Sequence, residues 1–232
     1  MGYLTGRFSL YPDLTVWENL RFFARLYGMK GPEIAAEAER LLGWVGLLPF
    51  TDRRAGALSG GMRQKLALIC AVIHRPPVLI LDEPTTAVDP VARAEFWRLL
   101  KEQARQGRAV LVTTPYMDEA EHCDRVVLLH EGRALAEGTA AELKQRLPYR
   151  MALLTAAGDA GRPASRLALA EVAAGLPGCR WTAPLGEGVR VALDPAAPLD
   201  PPPGCELTEA PPELEDVFLW LTGAGAEGVQ VG

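Results

Sequence analysis

Residues 58–90 read LSGGMRQKLALICAVIHRPPVLILDEPTTAVDP, and this stretch decides the fold. Met62, Leu66, Ile69 and Ile73 recur with the 3.6-residue period of a helix, and Ser59, just upstream, is a residue type that caps one. The Gly60-Gly61 pair then stands in the first turn, where N–H groups lack helical partners and the dipole is positive, so an anion can come close to the backbone. Pro76-Pro77 ends the helix. Val78-Leu79-Ile80-Leu81 follows as a short unbroken apolar run, the pattern of a parallel strand buried on both faces. It runs into Asp82-Glu83, two carboxylates at the strand's C-terminal end, where open α/β sheets place their ligands.

In a P-loop NTPase an Asp at this place helps hold Mg²⁺, and a following Glu can orient or deprotonate the attacking water. The ordered set of residues 58–64 (LSGGMRQ), 78–83 and 86–89 resembles the signature motif, Walker B strand and D-loop of the ATP-binding cassette (ABC) ATPases. That resemblance implies ATP and Mg²⁺ as cofactors. It implies Asp82 at the metal and Glu83 at the attacking water. Ser59, Gly60, Gly61 and Gln64 would meet the nucleotide of a second ABC ATPase domain, with Asp89 coupling the two. On this reading Gly61→Asp is expected to fold and to block nucleotide-driven pairing.

The 232 residues, 49% of them hydrophobic, suffice for a sizeable core with a small appendage. A net charge of -5, without a Lys/Arg block, excludes nucleic acid as a broad electrostatic partner. No apolar stretch reaches the length of a membrane span, and the first residues form no signal peptide, so a cytosolic chain is expected. Cys70, Cys123, Cys179 and Cys205 form no C-x-x-C, and reduced thiols rather than zinc are expected.

Taken in order, residues 2–11 resemble the Q-loop region, and Gly6 stands where the family's glutamine does. Lys30, Lys65, Lys101 and Lys144 each follow a residue other than glycine, so no Walker A loop (G-x-x-x-x-G-K-[ST]) is present. The resemblance therefore implies a sequence that starts downstream of that loop. Thr15-Val16-Trp17-Glu18 is a capping box for a helix reaching about Tyr27 and ended by Gly28. A second helix from Pro32 should carry Ile34, Ala38, Leu41, Leu42 and Val45 inward and Glu33, Glu37 and Glu39 outward. These two resemble the helical subdomain, residues 12–57, with Trp17, Phe22 and Phe23 either in its core or toward a membrane subunit.

Asp89-Pro90 reads as N-cap and first residue of a helix to about Gln106, ended by Gly107. Residues 109–113 read as another buried strand, and Pro115 stands where the family's switch histidine does, leaving neither ring nitrogen nor N–H. Neither His122 nor His130 is placed to replace it. Residues 125–129 and 133–137, joined by Glu131-Gly132, read as a hairpin, and Thr139–Glu142 repeats the capping box. The resemblance to the core ends near Pro148.

Beyond it lie strands at 150–155, 179–182, 189–193 and 205–208, a helix at 163–174 and a closing helix at 212–221. The last resembles the terminal L-E-D-V-F segment of ABC-2-type export ATPases. The expected fold is α/β, a partial P-loop NTPase (ABC ATPase) core with helical subdomain over residues 1–147. A small α+β accessory domain is expected over 148–222, and a flexible tail over 223–232. The expected function is the ATP-hydrolysing subunit of an ABC-2-type exporter, peripheral on the inner face of the cell membrane. It would act beside a transmembrane permease subunit and without nucleic acid. The alternative is a degenerate half that lends its signature motif to an active partner.

Overall fold

A computed structural model describes residues 1–5, 10–86, 88–157 and 166–223, in two compact units, Met1–Tyr116 and Met117–Gly232. Gly6, the start of the helix expected at 163, and the tail after Gly223 lie outside the described residues. The first unit runs β1 (Gly2–Leu4), α1 (Val16–Leu26), α2 (Gly31–Val45), two 3-10 turns, α3 (Gly60–Val72), β2 (Val78–Asp82), α4 (Pro90–Arg105) and β3 (Ala109–Thr113).

Local chemistry sets the helix ends. Thr15 Oγ1 accepts the Glu18 N–H at 3.1 Å while Glu18 Oε2 accepts the Thr15 N–H at 2.8 Å, the reciprocal capping box. Asn19 adds a link that the sequence did not signal. Buried completely, it accepts the Tyr11 N–H at 2.9 Å and donates to the Tyr11 and Thr15 carbonyls, which ties the loop before α1 to that helix. Asp89 caps α4 through its carboxylate, accepting the Ala92 N–H at 2.9 Å, with Pro90 following.

In α2 the expected inward residues are all buried, but Glu37 joins them at 2% exposure. Its position lies on the apolar stripe of Ile34, Ala38 and Leu41, and two guanidiniums make its burial tolerable. Arg40 donates at 2.6 Å and Arg75 at 2.7 Å. Burial alone would raise the Glu37 pKa; the two arginines outweigh it and bring it down to about 2.

The three strands are parallel in the order β1-β2-β3, with Tyr3, Ile80 and Leu111 in one row and Asp82 opposite Thr113. β1 was not foreseen. It presses so closely on α3 that a Cβ on Gly2 would stand 2.3 Å from the Ala71 carbonyl oxygen. The expectation that these strands are buried on both faces is corrected: Leu79 and Leu81 are 1% exposed, whereas Tyr3 and Leu111 on the other face are 50% and 58% exposed. The cause is topological. Crossovers between parallel strands are right-handed, so a strand order that advances in one direction stacks α3 and α4 on the same face. On the other face Tyr3 and Leu111 stay exposed and Ile80 between them is half-buried. Leu81→Ala is therefore expected to cost about 2–5 kcal/mol, and Leu111→Thr no more than about 0.5 kcal/mol. Urea unfolding of the two variants measures the contrast, and equal losses would contradict the exposed face.

The second unit runs α5 (Met117–Ala120), β4 (Val126–His130), β5 (Arg133–Gly138), α6 (Ala140–Gln145), β6 (Arg150–Ala156), α7 (Arg166–Ala174), β7 (Cys179–Leu185), β8 (Gly188–Leu193), β9 (Cys205–Glu209) and α8 (Leu214–Thr222). β4 and β5 form the expected hairpin, and Glu131 (φ 49°) and Gly132 (φ 74°) take the left-handed pair of values its two-residue turn needs. An antiparallel sheet, β7-β8-β6-β9, follows. Leu169 and Ala173 of α7 pack on Leu154, Val189, Val191 and Leu193, while Leu219 of α8 lies against Met151, Trp181 and Ala192. β8 is buried along its whole length. α8 also inserts Leu214 and Val217 among Ala120, Val126, Leu128 and Leu143.

Candidate functional site

Asp82 closes β2 and Glu83 leaves it, both exposed to solvent. Thr113 Oγ1 donates to Asp82 Oδ1 at 2.6 Å. Glu83 takes a left-handed backbone (φ 46°), which costs a non-glycine residue about 1–2 kcal/mol. Its N–H is received by the Thr113 carbonyl at 3.0 Å and by Thr113 Oγ1 at 3.1 Å. Thr86 Oγ1 donates to Glu83 Oε2 at 3.2 Å, which holds the carboxylate on the side of the loop that follows. The left-handed turn lifts Glu83 out of the strand, so two adjacent acids serve separate positions at one sheet edge.

A second group forms at the start of α3. Ser59 Oγ accepts the Met62 N–H at 3.3 Å and the Ser59 carbonyl accepts the Arg63 N–H at 2.9 Å. The remaining first-turn donors are the N–H groups of Gly60 and Gly61, as a helix tip that receives an anion requires. Gln64 stands one turn further, half-buried. The glycine at 61 has a packing reason too. A Cβ there would lie 2.7 Å from Ala92 Cβ on α4 and 4.0 Å from Asp89 Oδ2. A side chain at 61 would press on α4 and set a second carboxylate beside Asp89, a packing constraint that the expectation that Gly61→Asp folds did not include. Lys65 of α3 and Glu95 of α4 pair at 2.5 Å along the same contact.

The structure thus gathers Asp82, Glu83 and Thr113 in one place, and Ser59, Gly60, Gly61 and Asp89 in another. Among the described residues no hydrogen bond or ion pair links the two groups. After β3, the Tyr116 N–H is received by Thr114 Oγ1 at 3.1 Å, and Arg93 of α4 lies over the Tyr116 ring at 4.2 Å. Pro115 sits inside this braced turn.

Among the described residues no cluster of three or more His, Cys, Asp or Glu could hold a metal ion. Mg²⁺ does not require one, since it takes one or two carboxylates and completes its shell with water and phosphate oxygens. The exposed Asp82 carboxylate, a hard oxygen donor already fixed at Oδ1, suits it. No disulfide joins any of the four cysteines, and burial pushes the Cys70 and Cys179 thiols up, away from thiolate. Cys70 and His74 form no joint site. His74 instead stacks on Tyr27 at 3.6 Å between ring centroids.

A parallel strand ends in paired acids, and a serine-capped, glycine-led helix belongs to the same α/β unit. Residues 1–86 match the family model described as ABC transporter. The chain is 38% identical over 239 residues to the probable multidrug ABC transporter ATP-binding protein YbhF of Escherichia coli (strain K12), covering 100% of this chain and 40% of that protein. The Nod factor export ATP-binding protein I of Rhizobium sp. (strain N33) is 37% identical over 228 residues, covering 94% of this chain and 71% of that protein. A solved ATP binding subunit of an ABC transporter superposes with a TM-score of 0.55 at 33% identity, covering 62% of this chain and 61% of that one. The chain belongs to the family of ABC transporter ATP-binding proteins, and its α/β fold is that of an ABC ATPase. It spans less than half the length of YbhF. Among the described residues no helix is long and apolar enough to cross a membrane.

Proposed function

We propose that the chain is the nucleotide-binding subunit of an ABC-2-type exporter and couples ATP binding and hydrolysis to transport through a transmembrane permease subunit. It works on the inner face of the cell membrane, paired with a second ABC ATPase domain and without nucleic acid. The observation that carries this reading is the hydroxyl-braced pair of acids at the C-terminal edge of a parallel sheet. Asp82 is the metal residue; Mg²⁺, when bound, would supply positive charge to the phosphate oxygens. Glu83 orients or deprotonates water. Ser59, Gly60, Gly61 and Gln64 meet the nucleotide held by the partner domain, and Asp89 transmits its state along α4. Residues 148–222 serve as an accessory domain beside a core of residues 1–147.

A second reading has its own support. Pro115, where the family's switch histidine stands, can donate no hydrogen bond, and on that ground the chain would act as a degenerate half that lends its signature tip to an active partner. Both readings require ATP-dependent pairing. Analytical ultracentrifugation with an ABC ATPase that carries a Walker A loop is expected to show association with Mg-ATP and none without nucleotide. Association indifferent to Mg-ATP would overturn both.

A further inference from the structure

One hydroxyl touches both acids. Thr113 Oγ1 donates its proton to Asp82 Oδ1 and accepts the Glu83 N–H. A hydroxyl has one proton and two acceptor lone pairs, so both bonds are satisfied together, and their directions are fixed because a carboxylate can only accept and an amide N–H can only donate. The parallel register places Thr113 directly opposite Asp82. Thr113 is exposed on a strand whose β-branched requirement a valine would meet equally well, so strand formation does not account for the hydroxyl.

We propose that Thr113 is a positioning residue for the chemistry at Asp82 and Glu83. Its hydroxyl holds the Asp82 carboxylate in one rotamer, with Oδ1 engaged. It also fastens the Glu83 amide, so that the left-handed turn at residue 83 keeps its direction. Left-handed non-glycine residues persist where their surroundings over-determine them, and the two acceptors of residue 113 provide that. The inference rests on reading Asp82 as the metal residue and Glu83 as the group that acts on water, and it names what aligns them.

Thr113→Val preserves shape and removes both hydroxyl bonds; Thr113→Ser preserves both bonds. Three measurements on the whole chain separate them. The first is hydrogen–deuterium exchange of the Glu83 amide. The second is paramagnetic broadening of the Asp82 and Glu83 resonances by Mn²⁺, used as the metal probe. The third is ATP turnover in the assembly with its ATPase partner. In the valine variant, Glu83 exchange is expected to quicken and the Mn²⁺ concentration for half-broadening to rise about tenfold, the loss of one charge-assisted hydrogen bond. Its kcat is expected to fall about tenfold with KM for ATP nearly unchanged, as for an interaction made in the transition state. The serine variant should match the wild type in all three. A valine variant that behaves as wild type in exchange and broadening, or a serine variant that fails as valine does, overturns the proposal. If Mn²⁺ broadens neither resonance in the wild type while valine still quickens Glu83 exchange, the positioning is upheld and the metal assignment of Asp82 falls.

Discussion

Glu83→Gln is expected to lower ATP turnover by roughly two to four orders of magnitude, the range for removing a general base, in a full-length form of the chain that carries a Walker A loop. Glutamine keeps the length of the side chain and an oxygen that can still accept from Thr86 Oγ1, and the left-handed backbone at residue 83 is unchanged. Only the capacity to take a proton is lost, so nucleotide should remain bound while hydrolysis stops. The measurement is single-turnover hydrolysis beside retention of labelled ATP after rapid gel filtration. Turnover within tenfold of wild type would move the base elsewhere and favour the reading of a degenerate half.

What the sequence discloses about this chain is chiefly what neighbouring residues decide. The capping boxes at Thr15 and Thr139, the Asp89-Pro90 start of α4 and the Glu131-Gly132 turn all have the predicted geometry, because their partners lie within three residues. The motif residues are also where the chain order places them: Asp82-Glu83 at the end of a strand, Ser59 at a helix start. Other features depend on partners far along the chain. Thr113 and Asp82 are 31 residues apart and meet only through strand register, although two apolar runs of five residues ending in Asp and Thr offered that signal. Glu37 is buried because Arg75, 38 residues on, reaches it. β1 escaped notice since three residues led by a glycine carry no usable periodicity. The one-sided cover of the sheet follows from crossover handedness and strand order, which an apolar run does not encode.

The terminal L-E-D-V-F segment gains its physical meaning from such a distant pair, and the largest stability effect is expected there. Arg190 of β8 and Asp216 of α8 are 5% and 0% exposed and form a two-pronged bond, Nε to Oδ1 and Nη2 to Oδ2, each 2.6 Å. Arg190 also donates to the Pro211 carbonyl, and Asp216 Oδ2 accepts the Glu213 N–H at 2.7 Å. The aspartate thus caps its own helix while pinning it to the sheet. Burial works against the Arg190 charge, yet the Asp216 carboxylate prevails and raises its pKa. Asp216→Ala leaves the buried guanidinium only the Pro211 carbonyl and the looser Glu213 carboxylate at 3.5 Å, and is expected to cost about 3–5 kcal/mol, the range for breaking a buried pair from one side. Arg190→Met combined with Asp216→Leu removes both charges and is expected to recover most of that loss, since well-packed apolar groups replace such pairs with little penalty. Hydrogen–deuterium exchange of the β6, β8 and β9 amides reads the effect within the second unit alone. Protection in Asp216→Ala equal to wild type would show that α8 is held by its apolar contacts with Met151, Trp181 and Ala192, and that the acid in this motif serves only as a cap.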